Sequence, residues 1–359
     1  MLAARRRTGA SNAQVERVIK LIKDFRDGQY TSKQLLIERP LTGAAYDRML
    51  DRIATNPNLL GYFNDKLRFD YIRNKRYFVI RMSSDLHDTV AAEIWSDIYD
   101  QLKEIRQRTD RYHESAIDAA NGIKAKGTSK IKFSVSKGKM DGKSPDSAFQ
   151  HRDCQFPGFV MEIAWSQRKL NLPELASEYI QRSQGSIRTV VEVNLNDIYT
   201  AKIQQRRQGM KATLGKAAAT FSVWRAEVDE SNGLKRVAVI ASVLDKEFRD
   251  EDGNTITGAD LQLSLRDFTC EKVARKFQDI QDPEIVVLSE TLCTIYEDAV
   301  AFQQMTENEE KGEVTHSEES DQKEGRERRS VLETIGLRRS PRNVKPQRSK
   351  RLEAKQRAS

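Results

Sequence analysis

The sequence contains few cysteines and no long apolar segment. Its three cysteines, Cys154, Cys270 and Cys293, are widely separated, and no cluster of Cys and His has the spacing of zinc ligands. The sequence therefore indicates neither a disulfide framework nor a zinc site, and it favours a reducing compartment. No run of about eighteen apolar residues occurs, and no apolar region follows the basic residues near the N-terminus. We expect an intracellular protein with neither a transmembrane helix nor a secretory signal.

Common catalytic signatures are also missing. The sequence has no Gly-x-Ser-x-Gly elbow, no His-Glu-x-x-His zinc motif, no dinucleotide fingerprint and no set of kinase motifs. The segment KGKMDGKS resembles the end of a phosphate-binding loop, but Lys137 stands where that motif needs its first glycine. These absences exclude the usual forms of serine hydrolase, zinc protease, dinucleotide-dependent and P-loop chemistry.

Excess positive charge is absent from most of the chain. The net charge is +8, and the segment from Leu337 onward, with nine Lys or Arg residues against the single acid Glu353, accounts for all of it. The rest of the sequence is neutral, so nucleic-acid affinity there has to come from local clustering. The basic segment is typical of a nuclear-localisation signal or a nucleic-acid-binding arm, which favours the nucleus over the cytoplasm.

Three regions differ in composition. Residues 1–66 have the pattern of short helices and are expected to form an N-terminal helical extension. Residues 67–305 alternate strand and helix patterns, which predicts an α/β or α+β domain with a central mixed sheet flanked by helices. Residues 306–359 combine an acidic block with a basic one and have too little apolar surface to fold, which is typical of a disordered tail.

Hydrophobic periodicity places the elements of the central region. A hairpin is predicted around Asn74-Lys75, and a helix is predicted from about Leu86 to Arg106. A later helix is expected to end at Gly185. The other predicted elements are strands at about residues 130–135, 147–150, 158–165, 186–195, 220–228, 234–244 and 261–267, and a last helix at 289–305.

Two acidic residues lie on consecutive predicted strands. Asp146 follows Pro145 at the start of one strand, and Glu162 lies in the next, within the apolar run Gly-Phe-Val-Met-Glu-Ile-Ala-Trp. A buried carboxylate is costly unless a partner compensates its charge. If the strands pair antiparallel, the carboxylates converge, and with a strand carbonyl such as that of Ile163 they form an oxygen site suited to Mg²⁺ or Mn²⁺. Such an ion acidifies bound water and offsets charge on a phosphodiester.

The pair "PD" at 145–146 and "EIA" at 162–164 resembles the PD-(D/E)xK signature of restriction-endonuclease-like nucleases. The surrounding sequence, about 67–193, is similar to a restriction-endonuclease-like family abundant in cyanobacteria and to its uncharacterised fungal relatives. The resemblance implies a central mixed sheet flanked by helices, with Asp146 and Glu162 as catalytic metal ligands. It also implies that an acidic residue of the first core helix, here Glu93, completes the metal site.

The lysine of this signature is missing. Ala164 stands two positions after Glu162, where the motif has lysine, and Leu175 stands four residues before Tyr179, where many relatives place it. The remaining candidates are Lys169, which we take as the catalytic lysine, and Gln167. The absence of this lysine affects the expected rate of cleavage more than metal binding, because the lysine of the motif positions or polarises the attacking water.

Each of these residues also has an ordinary structural interpretation. Asp146 fits a type I turn, and Glu162 fits a solvated strand face shared with Val160 and Ala164. Glu93 fits an exposed helix position, and Lys169 fits a polar loop. His87 fits a helix cap or a surface position.

A lysine-rich segment precedes Asp146. We expect its lysines to contact a nucleic-acid backbone, at Lys130, Lys132, Lys137, Lys139 and Lys143. The alternative is a solvated hairpin edge protected by lysines.

Two functions from different classes follow from these observations. The first is an Mg²⁺-dependent nuclease that hydrolyses phosphodiester bonds in DNA. The second is a catalytically inactive protein of the same fold that binds nucleic acid or a protein partner, and the missing lysine favours it. A scaffold with a disordered tail and no ligand is the third interpretation.

Overall fold

The computed structural model describes residues 2–31, 36–73, 75–82, 84–136, 139–165, 172–198, 200, 217–230 and 233–305. Residues Met1–Gln303 form one compact unit. The predicted tail, residues 306–359, lies outside the described residues. Within the described ranges, no helix is both long and apolar enough to cross a membrane.

Three helices and a three-stranded sheet form the N-terminal part. The helices are α1 (Leu2–Arg26), α2 (Gly43–Ala54) and α3 (Pro57–Asp65), and the strands are β1 (Leu36–Pro40), β2 (Phe69–Ile72) and β3 (Tyr77–Arg81). Strands β2 and β3 form the predicted antiparallel hairpin, and β1 pairs with the other side of β3. One face of this sheet packs on the helices in a core that includes Ile22, Met49, Phe69 and Phe78.

The expected boundary between residues 66 and 67 runs through this core. The helices that precede the boundary share buried contacts with β2 and β3, which follow it. Strand β1 corrects the expectation that residues 1–66 are helical throughout. Its sequence, Leu-Ile-Glu-Arg-Pro, is too short to show a clear strand periodicity, and its pairing with β3 decides its structure.

A six-stranded mixed sheet forms the centre of the unit, in the order β11-β10-β9-β8-β7-β4. Strands β8 and β9 run parallel, and the other neighbours pair antiparallel. The predicted fold class, a mixed sheet flanked by helices, is confirmed at this level. The strands are β4 (Ile123–Ala125), β7 (Ser147–His151), β8 (Phe159–Ala164), β9 (Thr189–Asn194), β10 (Ala219–Asp229) and β11 (Arg236–Arg249).

Helices α4 (Asp85–Gln107) and α6 (Leu172–Arg182) cover opposite faces of this sheet. On β8, Phe159 and Met161 share a core with α4, whereas Val160 shares a core with α6. Both helices were predicted, and Gly185 ends α6 as expected, with a φ of 73° and an N–H that donates to the carbonyl of Ile180 at 2.8 Å. All six residues of β8 are buried because each face of the strand lies under a helix.

The remaining elements lie around these two sheets. They are α5 (Glu114–Gly122), the hairpin of β5 (Ile131–Ser136) and β6 (Lys139–Lys143), the pair of β12 (Leu261–Ser264) and β13 (Glu284–Val287), the short helix α7 (Glu271–Ala274) and helix α8 (289–305). Strands β6 and β13 were not predicted from the sequence. Strand β6 reads Lys-Met-Asp-Gly-Lys, a composition that is typical of a turn, and its pairing with β5 overrides that preference.

A disulfide joins Cys154 and Cys270, which are 116 residues apart in the sequence. This corrects the expectation that the cysteines form no disulfide. The loop before β8 carries Cys154, and Cys270 immediately precedes α7. The two become neighbours through the fold, and sequence spacing carries no information about such a contact. Cys293 is a buried free thiol.

Candidate functional site

Glu162 is buried at the centre of β8, with 1% of its surface exposed. The hydroxyl of Tyr179 on α6 donates a hydrogen bond to its Oε1 at 2.6 Å, and Nη1 of Arg81 on β3 donates to its Oε2 at 2.7 Å. The alternative of a solvated strand face is therefore wrong, because α6 covers that face. Each carboxylate oxygen of Glu162 has a specific partner.

Asp146 immediately precedes β7 and lies next to β8. Its Oδ2 accepts a hydrogen bond from the backbone N–H of Ile163 at 2.8 Å, and Ile163 follows Glu162 in the chain. The same oxygen lies 3.1 Å from Nε2 of His87, and Oδ1 accepts from Arg68 at 3.3 Å. The two predicted carboxylates are therefore brought together by the antiparallel pairing of β7 and β8.

Arg81 joins the N-terminal sheet to this pair of acids. Its Nη1 binds Glu162, its Nε lies 3.0 Å from Oδ2 of Asp70 on β2, and its Nη2 donates to the carbonyl of Ser144. The side chain is 7% exposed, so this guanidinium is desolvated and depends on those partners. Arg81 lies in the alternating hairpin on the sheet face opposite the helical core, as does Asp70.

Sequence reasoning missed the residues that pair with these acids. His87 was interpreted as a cap or surface residue, but it is buried in the first turn of α4 and contacts Asp146. Asp70 and Arg81 lie in the predicted hairpin, and no role was predicted for either of them. The sequence signal for Asp70 and Arg81 is the alternation of side chains along the hairpin. It places both residues on the face of the sheet that points away from the helical core, where another layer of structure can pack.

Burial and ion pairing shift the pKa values of these groups in opposite directions. Burial would raise the pKa of Asp146, but the charge and hydrogen bond of His87 and the charge of Arg81 hold that pKa below its usual value. Burial would lower the pKa of His87, and Asp146 raises it to about 9. Burial raises the pKa of Glu162 against the opposing charge of Arg81. His87 and Arg81 are therefore the cations that compensate the buried acids.

A second buried glutamate lies beside Glu162. Glu192 on β9 is in direct register with Glu162 across the parallel strand pair. Its Oε2 accepts from Nε1 of Trp224 at 2.8 Å, and its Oε1 has no hydrogen-bond partner among the described residues. Burial, with the nearby charge of Glu162, raises the pKa of Glu192 to about 8. The signal in the sequence is the apolar strand Thr-Val-Val-Glu-Val, which repeats the pattern around Glu162.

The carboxylates are the right chemical type for a divalent ion, but their oxygens are already engaged. Both oxygens of Asp146 and both oxygens of Glu162 contact donors of the chain, and the guanidinium of Arg81 supplies positive charge between Asp70 and Glu162. In the part of the chain that the structure describes, no group of three or more His, Cys, Asp or Glu side chains is arranged to hold a metal ion. With these partners in place, neither Asp146 nor Glu162 offers Mg²⁺ or Mn²⁺ an unoccupied carboxylate oxygen, and the predicted cofactor stays a prediction.

Glu93, the third predicted metal ligand, does not join this site. Glu93 is exposed, and it follows His87 by six residues, or about 9 Å along α4. The residue of α4 that contacts Asp146 is His87 rather than Glu93. Lys169 and Gln167 lie outside the described residues.

Among the described lysines predicted to bind nucleic acid, two have internal partners and one is exposed. Lys130 donates to the carbonyl of Phe63 at 2.9 Å and lies 4.0 Å from the ring centroid of Phe69. Lys143 is 1% exposed and lies 2.7 Å from Oε2 of Glu178. These two correct the expectation of phosphate contact, because their ammonium groups are committed to internal partners. Lys132 is exposed, and its contact with a nucleic acid stays a prediction. Lys137 lies outside the described residues, as does the side chain of Lys139.

Comparisons with known proteins add no relative. No family model, no curated protein and no solved structure matches the chain. The resemblance to PD-(D/E)xK nucleases therefore rests on the residues named above, and it stays a hypothesis.

Proposed function

We propose that this chain is a nucleic-acid-binding protein on a nuclease-like framework that does not carry out metal-dependent cleavage. The observation that carries the proposal is the guanidinium of Arg81, which lies between Asp70 and Glu162 and occupies the Oε2 of Glu162 that a metal ion would need. An internal cation already offsets the negative charge at this position. The acids then act as a structural connection between the two sheets.

The arrangement of Asp146 and Glu162 supports the nuclease-like framework. The two residues lie at consecutive, antiparallel strands of a mixed sheet, and helices cover both faces of that sheet. The resemblance implies this placement for its two acidic residues. The hydrogen bond from the backbone N–H of Ile163 to Asp146 holds this carboxylate beside β8, next to Glu162 in the chain.

The two usual lysine positions support the absence of cleavage. Ala164 and Leu175 are buried, and neither has a side chain that can polarise water. The nearby Lys143 does not replace them, because its ammonium group is paired with Glu178 and shielded from solvent. A water-activating lysine is therefore missing from both of these positions and from their described neighbour Lys143.

Exposed lysines support a nucleic-acid partner. Lys124, Lys126 and Lys132 are exposed within nine residues of one another, on β4, β5 and their connection. A cluster of this kind attracts a phosphate backbone without reading its sequence, and the affinity falls steeply with salt. The basic C-terminal segment of the sequence adds to the same electrostatic attraction.

A metal-dependent nuclease is the second candidate. Three buried carboxylates, those of Asp70, Asp146 and Glu162, lie close together. This favours the nuclease, because acidic side chains are seldom fully buried and a metal site is one reason to bury several of them. This candidate requires the side chain of Arg81 to leave Glu162 and make room for Mg²⁺ or Mn²⁺.

Binding and cleavage measured together distinguish the two candidates. We expect the full-length protein to bind duplex or single-stranded DNA or RNA in fluorescence anisotropy, and to leave plasmid intact with Mg²⁺ or Mn²⁺. The triple variant Lys124→Gln, Lys126→Gln, Lys132→Gln should bind about tenfold more weakly and reduce the salt slope by up to about three units.

The matched control removes the same charge elsewhere, with Lys20→Gln, Lys103→Gln and Lys235→Gln at exposed positions. If both triple variants lose affinity equally, the lysine cluster is not the binding surface. Cleavage by the wild type that Glu162→Gln abolishes would establish the nuclease and overturn the proposal.

A further inference from the structure

A cavity of about 250 Å³ lies between the N-terminal sheet and helix α6. The face of the sheet that points away from the helical core forms one wall, and α6 and the end of β6 form the other. Ile72, Val79 and Leu175 give the cavity an apolar surface, and Tyr77 lies at its side with 38% of its surface exposed. The volume accommodates a small organic molecule.

Two carboxylates flank the apolar floor of the cavity. Glu38 on β1 and Asp70 on β2 are both in register with Val79 of β3, which lies between them. Neighbouring strands are about 4.8 Å apart, so the backbone positions of the two acids are roughly 10 Å apart. All three side chains lie on the same face of the sheet and line the cavity.

Both carboxylates have unused hydrogen-bonding capacity. Asp70 is 1% exposed, and its Oδ2 binds Arg81, but its Oδ1 has no hydrogen-bond partner among the described residues. Glu38 is half-buried, and its carboxylate has no ion-pair partner in the described ranges. A buried carboxylate oxygen without a donor costs free energy until a ligand supplies one.

The other charged groups of the cavity compensate one another. Lys75 pairs with Glu174, and Lys143 pairs with Glu178 at 2.7 Å. Asp70 shares the single cation Arg81 with Glu162, and Glu38 has no cation partner in the described ranges, so the remaining charge of the lining is negative. The cavity therefore favours cations over anions, and its apolar floor favours an aliphatic body between the charged ends.

We propose that this cavity binds a short aliphatic diamine. One ammonium group donates to Oδ1 of Asp70, the other pairs with Glu38, and the methylene chain lies over Val79 beside Leu175. The separation of the two acids selects a molecule with a cation at each end over a molecule with one. This binding function is separate from nucleic-acid binding, because the exposed lysines named above do not line the cavity.

Isothermal titration calorimetry of the full-length protein with 1,5-diaminopentane tests the proposal. The neutral isostere pentane-1,5-diol should give no binding, and 1-aminopentane should bind at least tenfold more weakly than the diamine. Glu38→Gln should weaken the binding of the diamine by about tenfold, because the variant loses one ion pair. Glu93→Gln, an exposed glutamate on α4, is the matched control and should bind like the wild type.

A second variant separates loss of binding from loss of folding. Val79→Phe fills the cavity floor and keeps both acids, so it should abolish diamine binding while the circular dichroism spectrum and nucleic-acid binding stay unchanged. Equal affinity of the diamine and 1-aminopentane, or undiminished affinity in Glu38→Gln, would overturn the proposal. The absence of any heat with millimolar diamine would overturn it as well, and it would leave the nucleic-acid proposal untouched.

Discussion

Arg81 donates from Nη1 to Oε2 of Glu162 at 2.7 Å, and this buried ion pair joins the N-terminal sheet to the central sheet. The same guanidinium binds Asp70 and the carbonyl of Ser144. A side chain with three internal partners holds its rotamer, and it holds the two sheets at a fixed separation. The pair therefore has a structural role that does not depend on any bound ion.

The first prediction concerns the stability that Arg81 supplies. Arg81→Met should lower the free energy of unfolding by about 3 to 5 kcal/mol, because it leaves Glu162 and Asp70 buried without their cation. Urea denaturation followed by circular dichroism measures the change. The control is Arg236→Met at an exposed position of β11, which should change stability by less than about 0.5 kcal/mol. Similar losses in the two variants would contradict the structural role.

The second prediction concerns Lys130, whose pKa burial lowers to about 8 from its ordinary value of 10.5. Between these values the unfolded chain holds a proton on Lys130 that the folded protein releases, so stability should rise with pH. We expect the difference in unfolding free energy between the wild type and Lys130→Met to shift in favour of the wild type by about 2 to 3 kcal/mol from pH 8 to pH 10.5. A difference that stays constant across this window would show that Lys130 is not desolvated.

The third prediction concerns the disulfide. The bond closes a segment of 116 residues, so its loss should lower the free energy of unfolding by about 3 to 5 kcal/mol. Denaturation with and without dithiothreitol measures the effect, and non-reducing peptide mapping identifies the pairing. The double variant Cys154→Ser, Cys270→Ser should be as stable as the reduced wild type and insensitive to the reductant. Reductant sensitivity that persists in the double variant would assign the effect to another group.

The fourth prediction concerns the basic C-terminal segment. Deleting the residues from Leu337 onward removes nine basic residues and the whole excess of positive charge. The truncated protein should show a shallower salt dependence of DNA binding and less nuclear accumulation. Anisotropy titrations at several salt concentrations and microscopy of a tagged protein measure the two effects. Unchanged slope and localisation would mean that the segment has neither role.

The sequence predicted elements whose periodicity is strong. Strand β8 and helix α4 were placed within a residue or two, because an apolar run and a repeated apolar face hardly depend on context. The sequence placed Asp146 and Glu162 on consecutive strands, and the structure shows the antiparallel pairing on which their convergence depended. That inference needs only the order of two adjacent strands and the length of the loop between them.

Contacts between distant segments could not be predicted in this way. Arg81 reaches Glu162 across 81 residues, and His87 reaches Asp146 across 59. Sequence periodicity shows which face a residue occupies, but it does not show which layer covers that face. Lys130 was misinterpreted for the same reason, because its burial depends on Phe63 and Phe69 from another part of the chain.

Binding of Mn²⁺ to the wild type and to Arg81→Gln tests the central claim, that Arg81 occupies the carboxylate oxygen of Glu162 that a metal ion would need. Electron paramagnetic resonance counts free Mn²⁺ in each titration without requiring any activity. We predict no specific binding to the wild type and one new site in Arg81→Gln that Glu162→Gln removes. Stoichiometric binding of Mn²⁺ to the wild type, lost in Asp146→Ala, would contradict the account and restore the metal-dependent nuclease.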